Sequence, residues 1–478
     1  MGRITRRRFL EDSALLLAAA SVPVKLSAAE GAGSRSPNEK IRIGIAGLNG
    51  RGMSLVSGFA DMEDVEVAAI CDPDTATWDR AAKAVTDRGG ANPKTFQDIR
   101  KMLEMKDLDA IGIATQNHWH ALAAIWAMQA GKDVYCEKPS SHNVFEGQKM
   151  VEAAQKYNRI CQVGTQSRAN PGMRDAIQYI HDGYLGEVKL ARGLCYKPRG
   201  SIGFLGAPVQ PPATVDYDLW LGPAPMRPVR RRRFHYDWHW LWDYGNGDFG
   251  NQGVHEVDKA RWGLNQQTLP KSIVSYGGRF GYFDNGLTPN TQVSIMDYED
   301  GSRMVFEVRG LATEGFHGAS VGNIWYGTEG RMVAPSYSSA IVYDNDGQEI
   351  ERFAGSGNHF RNFIDAMRSR KAADLYCDAM EGHLSSSTMH LANVSYRLGQ
   401  PAPFTRVPAA IAGDTENEET FKRFTEHLKA NGVSVEFRTF KMGPRLEFDP
   451  KAMKFKDASL NQYLTRQYRE PFVVPDRV

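Results

Sequence analysis

Cysteine is scarce in this chain. There are five in 478 residues, an odd number with no repeated spacing, which excludes a disulfide framework. Net charge is nearly absent: 58 Lys and Arg stand against 56 Asp and Glu, so there is no global field for nucleic acid. The apolar run Ala14 to Ala20 is too short to span a bilayer as a mature helix. There are no internal repeats and no low-complexity tract. What remains is the composition of an enzyme-sized globular chain of two domains.

The first residues read as an address. Thr5-Arg6-Arg7-Arg8-Phe9-Leu10 is a twin-arginine pattern, followed by the short apolar run and by Ser27-Ala28-Ala29, a small-residue cleavage site. Cleavage after Ala29 changes the Lys/Arg to Asp/Glu balance from 58 against 56 to 53 against 54. The expectation is a signal peptide at 1–29, a linker at 30–40, and export of the folded protein by the twin-arginine machinery to the periplasm or cell exterior. A cytoplasmic nucleotide would have to be loaded before export.

The segment Ile41 to Gly52, I-R-I-G-I-A-G-L-N-G-R-G, is an apolar strand running into a glycine-rich turn. A second apolar strand, Val65 to Ile70, follows and ends at Cys71-Asp72. That order suits a dinucleotide, with a pyrophosphate at a helix N-terminus and a carboxylate near the ribose hydroxyls. In the frame G-x-G-x-x-G the positions are Gly47, Asn49 and Gly52. Asn is the residue after glycine that best tolerates positive φ, so the turn is expected to survive. Asp72, followed by Pro73 and Asp74 rather than an arginine, favours NAD over its 2′-phosphorylated form.

From residue 41 strands are expected at 41–46, 65–71, 109–114, 133–136 and 160–163, alternating with helices at 50–60, 74–88, 118–130 and 143–157. This is an α/β pattern, a Rossmann domain with a parallel sheet over 41–165. After it the pattern becomes antiparallel, with strands near 188–195, 271–276, 292–298 and 303–308, then helices at 360–368 and 384–397. An α+β domain with an open, mainly antiparallel sheet is therefore expected over 166–400, and a mixed extension over 401–478.

Two of the predicted parallel strands end in polar segments, Thr115-Gln116-Asn117-His118-Trp119-His120 and Glu137-Lys138-Pro139. Ligands bind at that edge of open α/β sheets. Lys138 could hold a ribose and a substrate hydroxyl and stabilise a developing alkoxide. The aromatic, glycine-dense run Trp238 to Asp258 suits sugar surfaces, with Trp238 and Trp240 as candidate walls. His235, Asp237 and His239 have metal-like spacing but no third ligand is evident, so no metal is expected. Arg230 to Arg233 is one short basic run, read as a solvated loop or a contact to an acidic sugar.

Together, Gly47 to Gly52, Glu137-Lys138-Pro139 and Asn251-x-Gly253-x-His255-x-x-Asp258 resemble the Gfo/Idh/MocA family of oxidoreductases. Segments from His359 to Ala366 and from Gly382 to Asn393 are similar as well. The resemblance implies bound NAD contacted by Gly47, Asn49, Gly50, Arg51, Gly52, Asp72, Thr115, Asn117, His120, Glu137 and Lys138. It implies catalysis by Lys138 and His255 with position 251, substrate contacts from Trp238, Trp240 and Asp258, and a dimer or tetramer built through the C-terminal sheet. This chain departs from the family's dehydrogenases at Asn251, where they carry Asp; Asn cannot charge-stabilise a protonated His255.

The leading expectation is an NAD-dependent oxidoreductase acting on a secondary hydroxyl of a sugar, polyol or glycoside. The alternative is a glycoside hydrolase or lyase in which the sugar is oxidised transiently, elimination follows and the hydride returns. A sugar-binding protein with an inactive site is the third.

Overall fold

The computed structural model describes residues 39–478. The twin-arginine pattern, its cleavage site and almost all of the expected linker lie outside the described residues.

Six strands, β1 Ile41–Ala46, β2 Val65–Cys71, β3 Lys94–Phe96, β4 Ala110–Ile113, β5 Asp133–Cys136 and β6 Cys161–Val163, form one sheet in the order β3-β2-β1-β4-β5-β6. Every pairing is parallel. Helices cover both faces, so the strands are buried on both sides and read as nearly continuous apolar runs, such as IRIGIA and VEVAAIC. Strand order reverses between β1 and β4. The carboxyl ends of β1, β2, β4 and β5 therefore gather Gly47, Asp72, Thr115 and Lys138 at one edge, the place where such sheets bind ligands.

The second sheet has twelve strands. Ten follow in order across it: β14 Glu349–Ala354, β13 Ser339–Tyr343, β12 Gly330–Ala334, β11 Val321–Gly327, β7 Leu190–Tyr196, β10 Arg303–Arg309, β9 Thr291–Asp297, β8 Ser272–Gly278, β16 Thr439–Met442 and β15 Gln400–Pro403. Beside β8 lies β17 Leu446–Asp449, with β18 Lys454–Phe455 beyond it. The sheet's centre is β7, β8, β9 and β10. Only the β7–β10 pair is parallel; the other pairings are antiparallel. Alternation sorts the strand residues onto two faces. Ile273, Met296, Met304 and Phe306 meet the helices Val254–Gly263 and Ala379–Leu398. Val274, Ile295 and Val305, one position along, meet Phe421, Phe424 and Leu428 of the helix Thr415–Ala430.

That last helix belongs to the expected extension, which is not a separate appendage. Strands β15 Gln400–Pro403 and β16 Thr439–Met442 join the second sheet. The helix between them is capped by Asp414, whose side chain accepts from the Asn417 N–H, and carries Glu416 and Glu418 in its first turn. The chain then returns to the first domain, where Phe472 packs edge-on against Trp119, ring centres 5.4 Å apart. All five cysteines are buried and free.

Replacing Phe424, which is 1% exposed, with Ala is expected to lower unfolding free energy by about 3–5 kcal/mol. Denaturant unfolding of the full chain checks this; an unchanged midpoint would detach the helix from the sheet core.

Candidate active site

A cleft of about 590 Å³ opens at the carboxyl edge of the parallel sheet. Its floor is the glycine turn. Gly47 and Gly50 have φ of 84° and 47°, and a Cβ on Gly52 would lie 1.9 Å from the Gly47 carbonyl oxygen. The backbone is thus closed against itself on one side, while the position of a Gly50 Cβ is open space. The left-handed positions are the two glycines and not Asn49, as the sequence had suggested. Asn49 instead accepts from Arg80 at 2.9 Å, and the same guanidinium reaches the Leu48 carbonyl at 3.0 Å.

Asp72 stands where an adenosine ribose carboxylate is needed. Its two oxygens accept from the N–H groups of Leu48 at 2.8 Å and Asp74 at 2.9 Å. Burial raises its pKa and these N–H groups oppose the rise. On the far wall Glu137 accepts from Arg51 at 2.7 Å through Oε1, while its Oε2 is buried without a partner. Arg51 also meets His359 Nε2 at 2.9 Å. Thr115, Asn117 and His120 line the cleft. His120 donates from Nδ1 to the Pro139 carbonyl at 2.6 Å, fixing the loop that carries Lys138. A glycine floor without Cβ atoms, an oriented carboxylate and an open carboxylate oxygen fit a nicotinamide dinucleotide.

Lys138 precedes a cis peptide to Pro139. Its ammonium donates to the backbone carbonyl of Asn251, so position 251 acts here through its main chain. Burial pulls the Lys138 pKa down, with Glu137 opposing. Asn251 lies in a wide π turn, Phe249–Gly253, that runs directly into the helix Val254–Gly263; such turns recur at functional sites. His255 opens that helix. It is 4% exposed, and its Nδ1 is buried with no partner. Burial, then the charges of Lys138, Lys259 and Arg51, hold its pKa well below the ordinary 6.5.

Residues that the sequence did not single out surround His255. The Tyr337 ring lies 4.7 Å from that of His255, and its hydroxyl accepts from Gln252 at 2.6 Å. Glu256 and Lys259, one turn apart, are buried beneath; burial pushes Glu256 up to about 7, against the pull of Lys259. A Glu-x-x-Lys pair beside the histidine was the available signal. Of the expected substrate walls, Trp238 lines the cleft, stacked on His239 at 3.7 Å. Trp240 is buried beneath the Arg199 guanidinium, 5.4 Å from its ring centre.

Asp258 differs from the expectation of a substrate contact. It has no exposure, and Arg168 grips it at 2.8 Å. Its helical spacing from His255 places it about one turn inward. His235 is committed to Asp74 at 2.8 Å and Asp237 to Arg233 at 2.8 Å. Among the described residues no group of three His, Cys, Asp or Glu side chains is placed to hold a metal.

Comparison with known families decides the relationship. The profile of an oxidoreductase family's NAD-binding Rossmann fold matches residues 41–165, and that of the family's C-terminal alpha/beta domain matches 201–427. The chain belongs to the Gfo/Idh/MocA oxidoreductase family. A glycosyl hydrolase family 109 protein of Saccharopolyspora erythraea is 34% identical over 161 residues, 33% of this chain and 35% of that protein. An alpha-N-acetylgalactosaminidase of Shewanella oneidensis is 29% identical over 195 residues, 39% of this chain and 42% of that protein. The matched part thus spans only about a third to two fifths of these curated relatives. Among solved structures, levoglucosan dehydrogenase in complex with NADH and levoglucosan superposes with a TM-score of 0.56 at 18% identity, over 74% of this chain and 97% of that one. The WlbA dehydrogenase of Bordetella pertussis, in complex with NADH and UDP-GlcNAcA, gives 0.55 at 19% identity, over 74% and 97%. These two likenesses are of fold.

Gly52→Ala forces a methyl group into the Gly47 carbonyl and is expected to weaken NAD binding at least about tenfold, roughly 1.4 kcal/mol. Calorimetric titration of the full chain measures it. Parent-like affinity in this variant would remove the turn from the cofactor site.

Proposed function

We propose that the protein cleaves a glycosidic bond by an NAD-dependent route in which a ring hydroxyl of the sugar is oxidised and afterwards restored. Bound NAD would supply a reversible two-electron acceptor, held by the Gly47–Gly52 turn, Asp72 and Glu137. Lys138 would hold the reacting hydroxyl and stabilise negative charge on its oxygen. His255 would take the hydroxyl proton.

The observation that carries this reading is the state of His255. It is buried, its pKa is held well below the ordinary 6.5, and among the described residues no carboxylate is in ion-pair contact with it or with Lys138. An imidazolium formed there is more acidic than an ordinary one. It returns its proton readily, which suits a hydroxyl that is deprotonated and later remade. A carboxylate partner would hold the proton and favour net oxidation. The likeness of the matched segment to glycosyl hydrolase family 109 proteins supports the same reading. Oxidation at one ring carbon acidifies the neighbouring C–H, which permits loss of the leaving group by elimination.

Net oxidation of a sugar or polyol is the second reading. It uses the same two residues, and the shared fold with levoglucosan dehydrogenase supports it. The twin-arginine pattern supports export of the folded protein with NAD already bound, and a closed redox cycle needs no external supply.

Incubation with aryl glycosides, following released phenol and NADH together, separates the two. The proposal expects many phenols per enzyme with no accumulating NADH; a ketone product with NADH in equal amount and no phenol contradicts it. Lys138→Ala and His255→Ala are each expected to lower turnover by about two to four orders of magnitude with NAD retained. A base is active when deprotonated, and the pKa of His255 is depressed. The acid limb of kcat/KM should therefore fall well below pH 6.5; a limb at 6.5 would remove His255 from that role.

A further inference from the structure

A second cavity, of about 670 Å³, lies between the carboxyl half of the helix Ala379–Leu398 and the C-terminal segment 463–469. It shares no lining residue with the NAD cleft. We propose that it is a binding site for a small organic oxyanion, a phosphate or carboxylate carried on a sugar-sized body.

Ion-pair contacts engage only part of the positive charge around it, although Asp243 acts on Arg397 and Glu146 on Arg466 from beyond contact distance. Four arginines line it. Arg469 is spent on Asp218 and on the carbonyls of Gly222 and Ala224. Arg227 faces the cavity's one acidic side chain, Asp243, at 3.5 Å. Arg397 and Arg466 pair with no carboxylate among the described residues. Arg466 donates instead to the Asp243 backbone carbonyl at 3.0 Å and to His142 Nδ1 at 3.1 Å. Arg397 lies over the Trp242 indole, 5.4 Å from its centre. The nearby buried carboxyl of Glu146 is turned to the His142 N–H at 2.8 Å and the Asn143 amide at 2.8 Å.

The histidine supplies an independent observation. An Nδ1 that accepts from Arg466 leaves the proton of a neutral ring on Nε2. That Nε2–H is buried and has no partner, although an unmet buried donor costs about 1–3 kcal/mol. His142 itself lines the cavity. Two unpaired guanidinium groups provide the planar donors that carboxylate and phosphate accept. Trp242 and Tyr463 give faces for a ring, and the volume is that of small-molecule sites. The wall is also continuous with the NAD cleft in bonding: Asn246 donates to the His142 carbonyl at 3.2 Å and accepts from Asn117 at 3.1 Å.

The full chain, saturated with NAD so that its pyrophosphate cradle is filled, is titrated calorimetrically with inorganic phosphate, D-glucose 6-phosphate and D-glucuronate. D-glucose is the neutral control. Saturable binding of at least one sugar anion, one per chain, with none of glucose, is expected. The phosphate and carboxylate arms decide which group the site takes. Arg397→Gln and Arg466→Gln should each weaken binding at least about tenfold, a change of roughly 1.4 kcal/mol. Arg397 ends a helix without an ion pair, so that variant is expected to keep the parent melting temperature even if Arg466→Gln loosens the C-terminal segment. Ligand should also change tryptophan fluorescence in the parent and not in Trp242→Phe. No saturable binding of any anion, or parent-like affinity in Arg397→Gln, overturns the proposal.

Discussion

The active-site geometry depends on a buried lattice of charge behind His255. Arg168, in the turn after the parallel sheet, holds Asp258 at 2.8 Å and Glu381 at 2.9 Å. Arg261 reaches the same Glu381, and Ser385 donates to Asp258 at 2.7 Å. Three segments far apart in sequence are thereby fixed to each other: the turn at 166–169, the helix Val254–Gly263 that carries His255, and the first two turns of the helix Ala379–Leu398. Each ion is costly to bury alone. Removing one partner of such a pair typically costs about 3–5 kcal/mol, so the helix cannot slide or rotate without exposing unpaired charge. The helix that carries His255 is therefore held in a fixed position, near enough to Lys138 to feel its charge.

Within that frame the chemistry is set by burial more than by partners. Lys138 and His255 are both pulled toward their neutral forms. Lys138 retains a backbone carbonyl as its acceptor, whereas His255 retains an unoccupied nitrogen. In the proposed reaction the two would exchange protons with a sugar hydroxyl in both directions. On the proposed function, that reversibility would connect the family's oxidoreductase scaffold with bond cleavage.

Much of the first domain was legible because its signals are local. A parallel strand buried on both faces must be apolar throughout, a tight turn needs glycine, and the acid at the end of β2 lies a fixed distance along the chain. The strand and helix boundaries at 41–46, 65–71 and 133–136 follow from that. The three-residue β3 and the polar edge strand β14 Glu349–Ala354 carry too few buried side chains to show a period. Asp258 was misread for a different reason. A carboxylate one turn after a catalytic histidine looks the same in sequence whether it faces substrate or an arginine 90 positions earlier. At Asn251 the sequence drew attention to the side chain, whereas the fold uses the carbonyl, which every residue has. The oxyanion cavity draws on residues 142, 242, 397 and 466, whose proximity exists only after both domains and the C-terminal segment have packed.

The central claim is that sugar oxidation here serves to break a neighbouring bond. The most direct measurement is the hydrogen content of the product sugar formed in deuterated water. Elimination removes the C–H beside the transiently oxidised carbon, and re-addition replaces it from solvent. The account predicts one non-exchangeable deuterium at that carbon in the released sugar, seen by mass spectrometry and NMR. A released sugar that retains all of its original carbon-bound hydrogen would contradict it.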